Sequence, residues 1–383
     1  MTESLGAWSP ESEHHLLELG LERLRSALGA EWKIEMKQEP AGSSKHWAQN
    51  YEIITVKGPD QSLYGEVLVE TMLDPTPARL QGAVWPRLEL LKRLHPNAAA
   101  IVIAPWISPR TRDMLADWDC GYLDLTGNIS FRMDRPAVVI RTQGSERDPR
   151  SRTRGGTRGL SGAKAVRLIR VLTDVRPPYR AVDLATATGL SNAYVSRLLD
   201  VLEEEGLIKR RDRVVTRVDW VALLRSRASQ TALLKPGRYT GYIAPGGVEV
   251  AIAGLRDLER QFPGAFAVTG PAAALAIAPL AIGGQTMLHA TPKITNILAK
   301  DPRLIATDQS PDLLVLTPPD PIVFFGLRQI DGLPHVALSQ LVLDCLSGPG
   351  RLPAAGESVV DFMREHEKTW RRDGLETVKF PTS

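Results

Sequence analysis

Hydrophobic residues divide the chain into three differently patterned stretches. In the first, Leu16, Leu17, Leu19, Leu21, Leu24 and Leu28 form a broad apolar stripe and predict a helix starting near His14. Residues 51–56 and 65–72 read as strands, the second alternating around Val67 and Val69. After Pro75 and Pro77 break the pattern, Leu80, Val84, Leu88 and Leu91 predict a helix over 78–94. Residues 98–104 are apolar throughout, as expected of a strand buried on both faces. Ser108 and Pro109 open a helix running to Trp118. Short strands at 121–125 and 129–132 flank the Thr126-Gly127-Asn128 turn, and 137–141 closes the segment. Strand, helix, buried strand, helix and strand in succession predict an α/β domain.

The second stretch changes character. Residues 144–160 contain almost no apolar side chains and carry Arg147, Arg150, Arg152, Arg154 and Arg158, which predicts a flexible basic linker. A helix over 162–175 follows, ended by Pro177 and Pro178, then a second over 181–188. Gly189 supplies a turn, Leu190 plugs the core and Ser191 caps a third helix, 192–205. On that helix Val195, Leu198, Leu199 and Leu202 define the buried face. Asn192, Ala193, Ser196, Arg197 and Asp200 are left outside, with Tyr194 at the flank. Gly206 ends the helix, and strands at 207–209 and 214–218 enclose a basic wing.

The third stretch, from residue 229 onward, opens with Pro- and Gly-rich sequence. It contains an Ala-rich run over 266–282, with a packed helix expected at 273–281, a strand at 313–317 and helices at 339–346 and 358–371.

Charge sharpens the middle stretch. The whole chain is only +3, but residues 141–218 hold 17 Lys and Arg against 9 Asp and Glu, leaving −5 for the remainder. A basic centre between mildly acidic flanks points to a polyanionic partner. Cys120 and Cys345 are the two cysteines, which argues against a disulfide framework or a cysteine-rich zinc site. No apolar run approaches the length that spans a bilayer, and residues 1–10 show no secretory signal, so a cytoplasmic setting with no membrane partner is expected. Gly283-Gly284 is too short for a phosphate loop, the seven histidines have no metal spacing, and no cofactor is expected.

Turn glycine, cap serine, core spacing and wing together resemble the winged helix-turn-helix of bacterial transcription regulators. That resemblance implies double-stranded DNA as partner. The contact residues would be Ser191, Asn192, Tyr194, Ser196 and Arg197 on the recognition helix and Lys209, Arg210, Arg211 and Arg213 on the wing, with the linker arginines as an accessory arm. Beyond it, Val218-Asp219-Trp220, Val268-Thr269-Gly270 and Gly348-Pro349-Gly350-Arg351 are similar in order to the AbiEi-type antitoxin family of type IV toxin–antitoxin systems. That likeness implies an autoregulator whose C-terminal domain meets a protein partner; a homodimer is also expected. No nucleotidyltransferase motif is present.

The first stretch resembles a PD-(D/E)xK restriction-endonuclease fold. Such nucleases hold Mg²⁺ with two carboxylates and orient water with a lysine. Asp60 and Glu70 occupy the acidic positions, with Glu66 a further candidate on the Glu70 face, but the residue two beyond Glu70 is Met72. A fold that has lost cleavage is therefore expected ahead of an active metal-dependent nuclease acting in defence or DNA processing. The sequence thus predicts a multidomain α/β and α+β protein. It comprises a restriction-endonuclease-like α/β domain over 1–143, the linker 144–160, a winged helix-turn-helix over 161–228 and a C-terminal α/β domain over 229–383.

Overall fold

A computed structural model describes residues 10, 12–37, 51–146, 148–152, 162–278 and 285–375. The chain forms two compact units, one of Met1–Gly156 with Glu204–Gly206 and the other of Thr157–Glu203 with Leu207–Ser383.

The N-terminal unit is built on one mixed sheet whose seven strands lie in chain order: β1 (Lys33–Met36), β2 (Tyr51–Lys57), β3 (Tyr64–Thr71), β4 (Ala99–Ala104), β5 (Gly121–Asp124), β6 (Ile129–Met133) and β7 (Val138–Thr142). The central strands β3, β4 and β5 are parallel, and the outer ones pair antiparallel. Helix α1 (Glu13–Leu28) covers one face, its leucines packing with Val67, Val69, Ile101 and Ile103. Helices α2 (Trp85–Leu94) and α3 (Pro109–Asp117) cover the other, where Leu88 and Leu115 join a core with Leu68, Met72 and Val102. Two helical layers explain why β4 is apolar throughout. Ser108 caps α3 by accepting from the Thr111 amide, as its position before Pro109 predicts.

The expected flexible linker begins later than its composition suggests. The Gly144 amide donates to Asn128 Oδ1 (2.9 Å), the Ser145 amide donates to the Thr126 hydroxyl (3.2 Å), and Pro149–Arg152 form a 3₁₀ turn. These bonds tie the segment to the turn after β5, so low hydrophobicity there reflects polar packing.

The second unit contains the helix-turn-helix and everything after it. Helices α4 (Ala163–Asp174), α5 (Ala181–Thr188) and α6 (Asn192–Glu204) pack beside a small sheet in the order β10 (Ile208–Arg211), β11 (Val214–Val218), β9 (Tyr179–Arg180). Strand β8 (Val175–Arg176) precedes β9, and helix α7 (Trp220–Ala228) follows the wing. A second seven-stranded mixed sheet then forms. Its strands are β12 (Tyr239–Ile243), β13 (Phe266–Thr269), β14 (Thr286–Ala290), β15 (Ile305–Thr307), β16 (Leu313–Leu316), β17 (Arg328–Ile330) and β18 (Leu333–His335), in the spatial order β15-β12-β16-β14-β13-β18-β17. Helix α8 (Val248–Gln261) lies between β12 and β13. The Ala-rich run is a strand before it is a helix: β13 gives way at Gly270 to α9 (Gly270–Leu275), which ends short of the expected 273–281. Helix α10 is Pro292–Leu298 and α11 is Leu338–Leu346. The terminal helix starts earlier than expected, at Leu352, with Pro353 in its first turn, and breaks at His366 into α12 (Leu352–Glu365) and α13 (Glu367–Trp370).

One hydrophobic core runs through this whole unit, joining Leu168, Leu172, Leu199 and Leu223 with Leu341, Val359 and Met363. Arg170 on α4, fully buried, is its polar centre. Its guanidinium donates to Asp174 one turn along (3.1 and 3.2 Å), to Gln340 Oε1 on α11 (2.8 Å) and to the carbonyls of Phe325 (3.0 Å) and Ile322 (3.4 Å). Arg371 reaches back to the end of α4, donating to the Thr173 (2.9 Å) and Leu172 (3.2 Å) carbonyls that a helix terminus leaves unbonded. Next to it, β19 (Arg372–Asp373) pairs in parallel with β8.

Arg170→Ala is expected to lower the unfolding free energy of this unit by about 3–5 kcal/mol, because it strands a buried carboxylate, an amide oxygen and two carbonyls. Urea denaturation followed by tryptophan fluorescence reads this, and a loss below about 1 kcal/mol would contradict the assignment.

Candidate nucleic-acid interface

The helix-turn-helix forms as its sequence dictates. Gly189 closes α5 with φ 66° and ψ 22°, the left-handed conformation that glycine adopts without a Cβ clash. Ser191 accepts from the Tyr194 amide (3.3 Å) and starts α6. Val195, Leu198, Leu199 and Leu202 are buried, and Leu190 packs at the edge of the same core.

Burial on one face fixes what faces solvent. Ser191, Asn192, Ala193 and Arg197 are exposed, and Tyr194 and Ser196 are half-buried. Positions 192 and 196, like 193 and 197, are one turn apart, so they form two adjacent rows on the N-terminal half of α6. Arg197 lies along its own helix, Nε donating to the Ala193 carbonyl (3.3 Å). Small and polar side chains with a helix N-terminus make a surface of the kind that fits a DNA groove and bonds phosphates.

The wing turns through Asp212 and Arg213, both at positive φ (50° and 66°), as a two-residue hairpin turn matched to strand twist requires. Aspartate tolerates that region; an arginine there costs on the order of 1 kcal/mol. The strain puts a cation at the exposed tip. Lys209, Arg211 and Arg213 are also exposed. Arg217 escapes a reading that counts only the Lys209–Arg213 cluster, yet it is exposed and directly across the hairpin from Lys209. The register shift between Lys209 and Arg210 spoils simple alternation, which is why the strand pattern alone did not mark it. Among the described residues Lys209, Arg213, Arg217 and Arg197 make no ion pair.

Arg210 is different and leaves the set of free wing cations. Its guanidinium donates to Glu203 (2.8 and 2.6 Å) and Asp200 (2.6 Å) on α6, and its amide donates to Glu203 (3.0 Å). The acidic end of α6 thus anchors the wing to the recognition helix. Arg150 leaves the accessory arm for the same kind of reason. It is paired with Asp148 (3.0 and 3.1 Å) and donates to the Leu73 carbonyl (3.3 Å) inside the N-terminal unit. Arg147, Arg154 and Arg158, and the Arg152 side chain, lie outside the described residues.

The two nuclease-like carboxylates do not converge. Asp60 sits in the exposed β2–β3 turn, bonded to the Ser62 hydroxyl (2.9 Å) and amide (3.2 Å), and that hydroxyl bond leads in holding its carboxyl below the ordinary range. Glu70 lies near the far end of β3, about 20 Å along the strand from the turn. It is buried against α2, bonded to Arg87. Burial pushes its pKa from 4.5 to about 7 against the opposing pull of Arg87. Glu66 is taken by Lys37 and His95. Among the described residues no group of three His, Cys, Asp or Glu side chains is placed to hold a metal, and no helix is long and apolar enough to cross a membrane.

Residues 161–212 match the IclR helix-turn-helix domain family. No curated protein and no solved structure matches the chain. The match coincides with α4 through the turn of the wing and makes this segment a helix-turn-helix DNA-binding domain, the equipment of a transcription regulator.

Arg210→Ala should cost about 1 kcal/mol of stability, since it removes a bidentate network at the surface, whereas Arg213→Ala should leave or raise the melting temperature and weaken duplex binding. Thermal melts and gel shifts on both variants separate the roles. Glu70 predicts a pH effect. A carboxyl whose pKa is raised on folding binds its proton more tightly in the native state. Its stabilisation is full below 4.5 and disappears as pH rises through about 7, up to about 3 kcal/mol in all. Urea titrations at pH 5 and pH 8 should show that decline, and Glu70→Gln should flatten it.

Proposed function

We propose that this protein is a sequence-specific double-stranded DNA-binding transcription regulator that inserts the N-terminal half of α6 into the major groove and lays the wing along the backbone. The observation that carries the reading is the agreement of two surfaces. Ser191, Asn192, Ser196 and Arg197 face outward on α6, and Lys209, Arg211, Arg213 and Arg217 do so on a wing locked to that helix through Arg210. Asn192 suits adenine and Arg197 suits guanine or a phosphate, while the wing cations supply sequence-independent affinity.

An antitoxin-type autoregulator is the more specific form of this proposal. It rests on the likeness to AbiEi-type antitoxins, and part of that likeness has a structural cause. Thr269 bonds Asp344, and Gly270 sits at φ 66° where a Cβ would meet Met287 Sδ at 2.5 Å. In this reading the C-terminal part of the second unit meets a protein partner and the target is the protein's own promoter. The N-terminal unit is assigned a non-cleaving role, supported by the separation of Asp60 from Glu70.

Gel shifts on promoter duplex test the proposal. With about five phosphate contacts from Arg197 and the wing, log affinity should fall with log salt at a slope near −4.5. Arg213→Ala should reduce that slope by about 1 on every sequence, and Asn192→Ala should weaken the specific site by about 1–3 kcal/mol with little effect on random duplex. Absence of binding to any duplex, or a flat salt response, overturns it. Incubation of plasmid with Mg²⁺ or Mn²⁺ is expected to leave it uncut.

A further inference from the structure

The second unit encloses a cavity of about 250 Å³, the volume of on the order of eight waters or one small metabolite. It opens where the parallel strands β14 and β16 end, the place where open α/β sheets bind ligands. His289 near the end of β14 and residues 316–320 after β16 form one side. Val166 on α4, Ile322 and Leu343 give it an apolar wall.

Its charge is lopsided once internal pairs are removed. Asp344 is fully engaged, accepting from His289 Nε2 (2.8 Å), the Thr269 hydroxyl (2.7 Å) and Gln340 Nε2 (2.8 Å). Asp320 is held by Arg167 (3.0 Å). Lys235 and Arg238 line the cavity, are exposed and make no ion pair among the described residues. Arg227 also lines it but is 8% exposed, and burial works against its charge. His289 is 5% exposed, and its Nδ1 has no hydrogen-bond partner among the described residues. A buried polar atom without a partner is costly unless something occupies the space beside it.

We infer that this cavity is a binding site for a small organic anion, a carboxylate or phosphate on a short apolar body, held by Lys235, Arg238 and Arg227 with His289 at its floor. Cationic side chains bond such groups by charge-assisted hydrogen bonds, and the Val166 wall takes the hydrocarbon. The site is wired to the DNA-binding helices. Asp344 bonds Gln340, Gln340 bonds Arg170, and Arg170 and Val166 both belong to α4. A ligand that shifts His289 or Asp344 thereby acts on the first helix of the helix-turn-helix, and this last step alone rests on the DNA-binding reading.

Calorimetry on the full chain without DNA tests the site, using succinate, 2-oxoglutarate, benzoate and 3-phosphoglycerate at ionic strength matched with chloride. At least one probe should bind one to one, and the carboxylate and phosphate arms show which headgroup is preferred. Lys235→Ala with Arg238→Ala should weaken that binding by about tenfold or more per lost cation, without lowering the melting temperature of the free protein. No one-to-one binding tighter than about 10 mM by any probe, or equal binding in the double variant, overturns the inference. Because no DNA is present, this failure is distinct from failure of the promoter-binding experiment.

Discussion

Everything in the DNA-binding half of the molecule depends on one buried guanidinium. Arg170 has no access to water, and a charge in that position is tolerable only when every donor is answered. The answers come from Asp174 on its own helix and from Phe325, Ile322 and Gln340 more than 150 residues later in the chain. The hydrophobic core around it is continuous from α4 to α12. The arginine therefore fixes how α4 is rotated against the second sheet, and α4 in turn seats α5 and α6. The groove-facing rows on α6 are set from behind by a residue that points away from them.

The same division between holding and touching runs through the basic residues. Composition makes them one class; geometry sorts them. Arg170 and Arg371 hold α4, Arg167 and Arg225 bridge to Asp320 and Glu357, and Arg210 fastens the wing to α6. Lys209, Arg213 and Arg217 remain for a polyanion. Arginine suits the holding role because its planar fork satisfies several acceptors at once. The excess of +8 in the middle of the chain thus overstates the electrostatic footprint offered to DNA.

What the sequence revealed follows from the length of its signals. Helix α6 was legible to the residue, because a cap serine, a left-handed glycine and four apolar positions at helical spacing are independent local constraints. Strand β4 was legible because an apolar run bounded by turns has few alternatives. The second sheet was nearly invisible. Strands such as Ile305–Thr307 and Leu333–His335 are too short to show a period, and Thr286–Ala290 is buried throughout, so alternation is absent. Helix Val248–Gln261 was masked by the Pro- and Gly-rich sequence before it, although Leu255 and Leu258 carry its buried stripe. The fate of Arg150 and Arg210 was beyond a local reading, since their partners are set by packing. The separation of Asp60 from Glu70 was in principle countable, because both lie on one hairpin and a strand rises by a fixed amount per residue.

Strand β8 and the carbonyls at the end of α4 are completed only by residues 371–373. A ribosome emits those residues about 200 positions after the helix they finish. On a synthesis timescale of about 5–20 residues per second, the helix-turn-helix waits on the order of 10–40 seconds for its last partners. The segment matched to other regulators is thus woven into its host, not appended to it. A recombination event that lifted residues 161–228 alone would carry away a reading head with an unfinished back, so this lineage is expected to exchange the second unit whole.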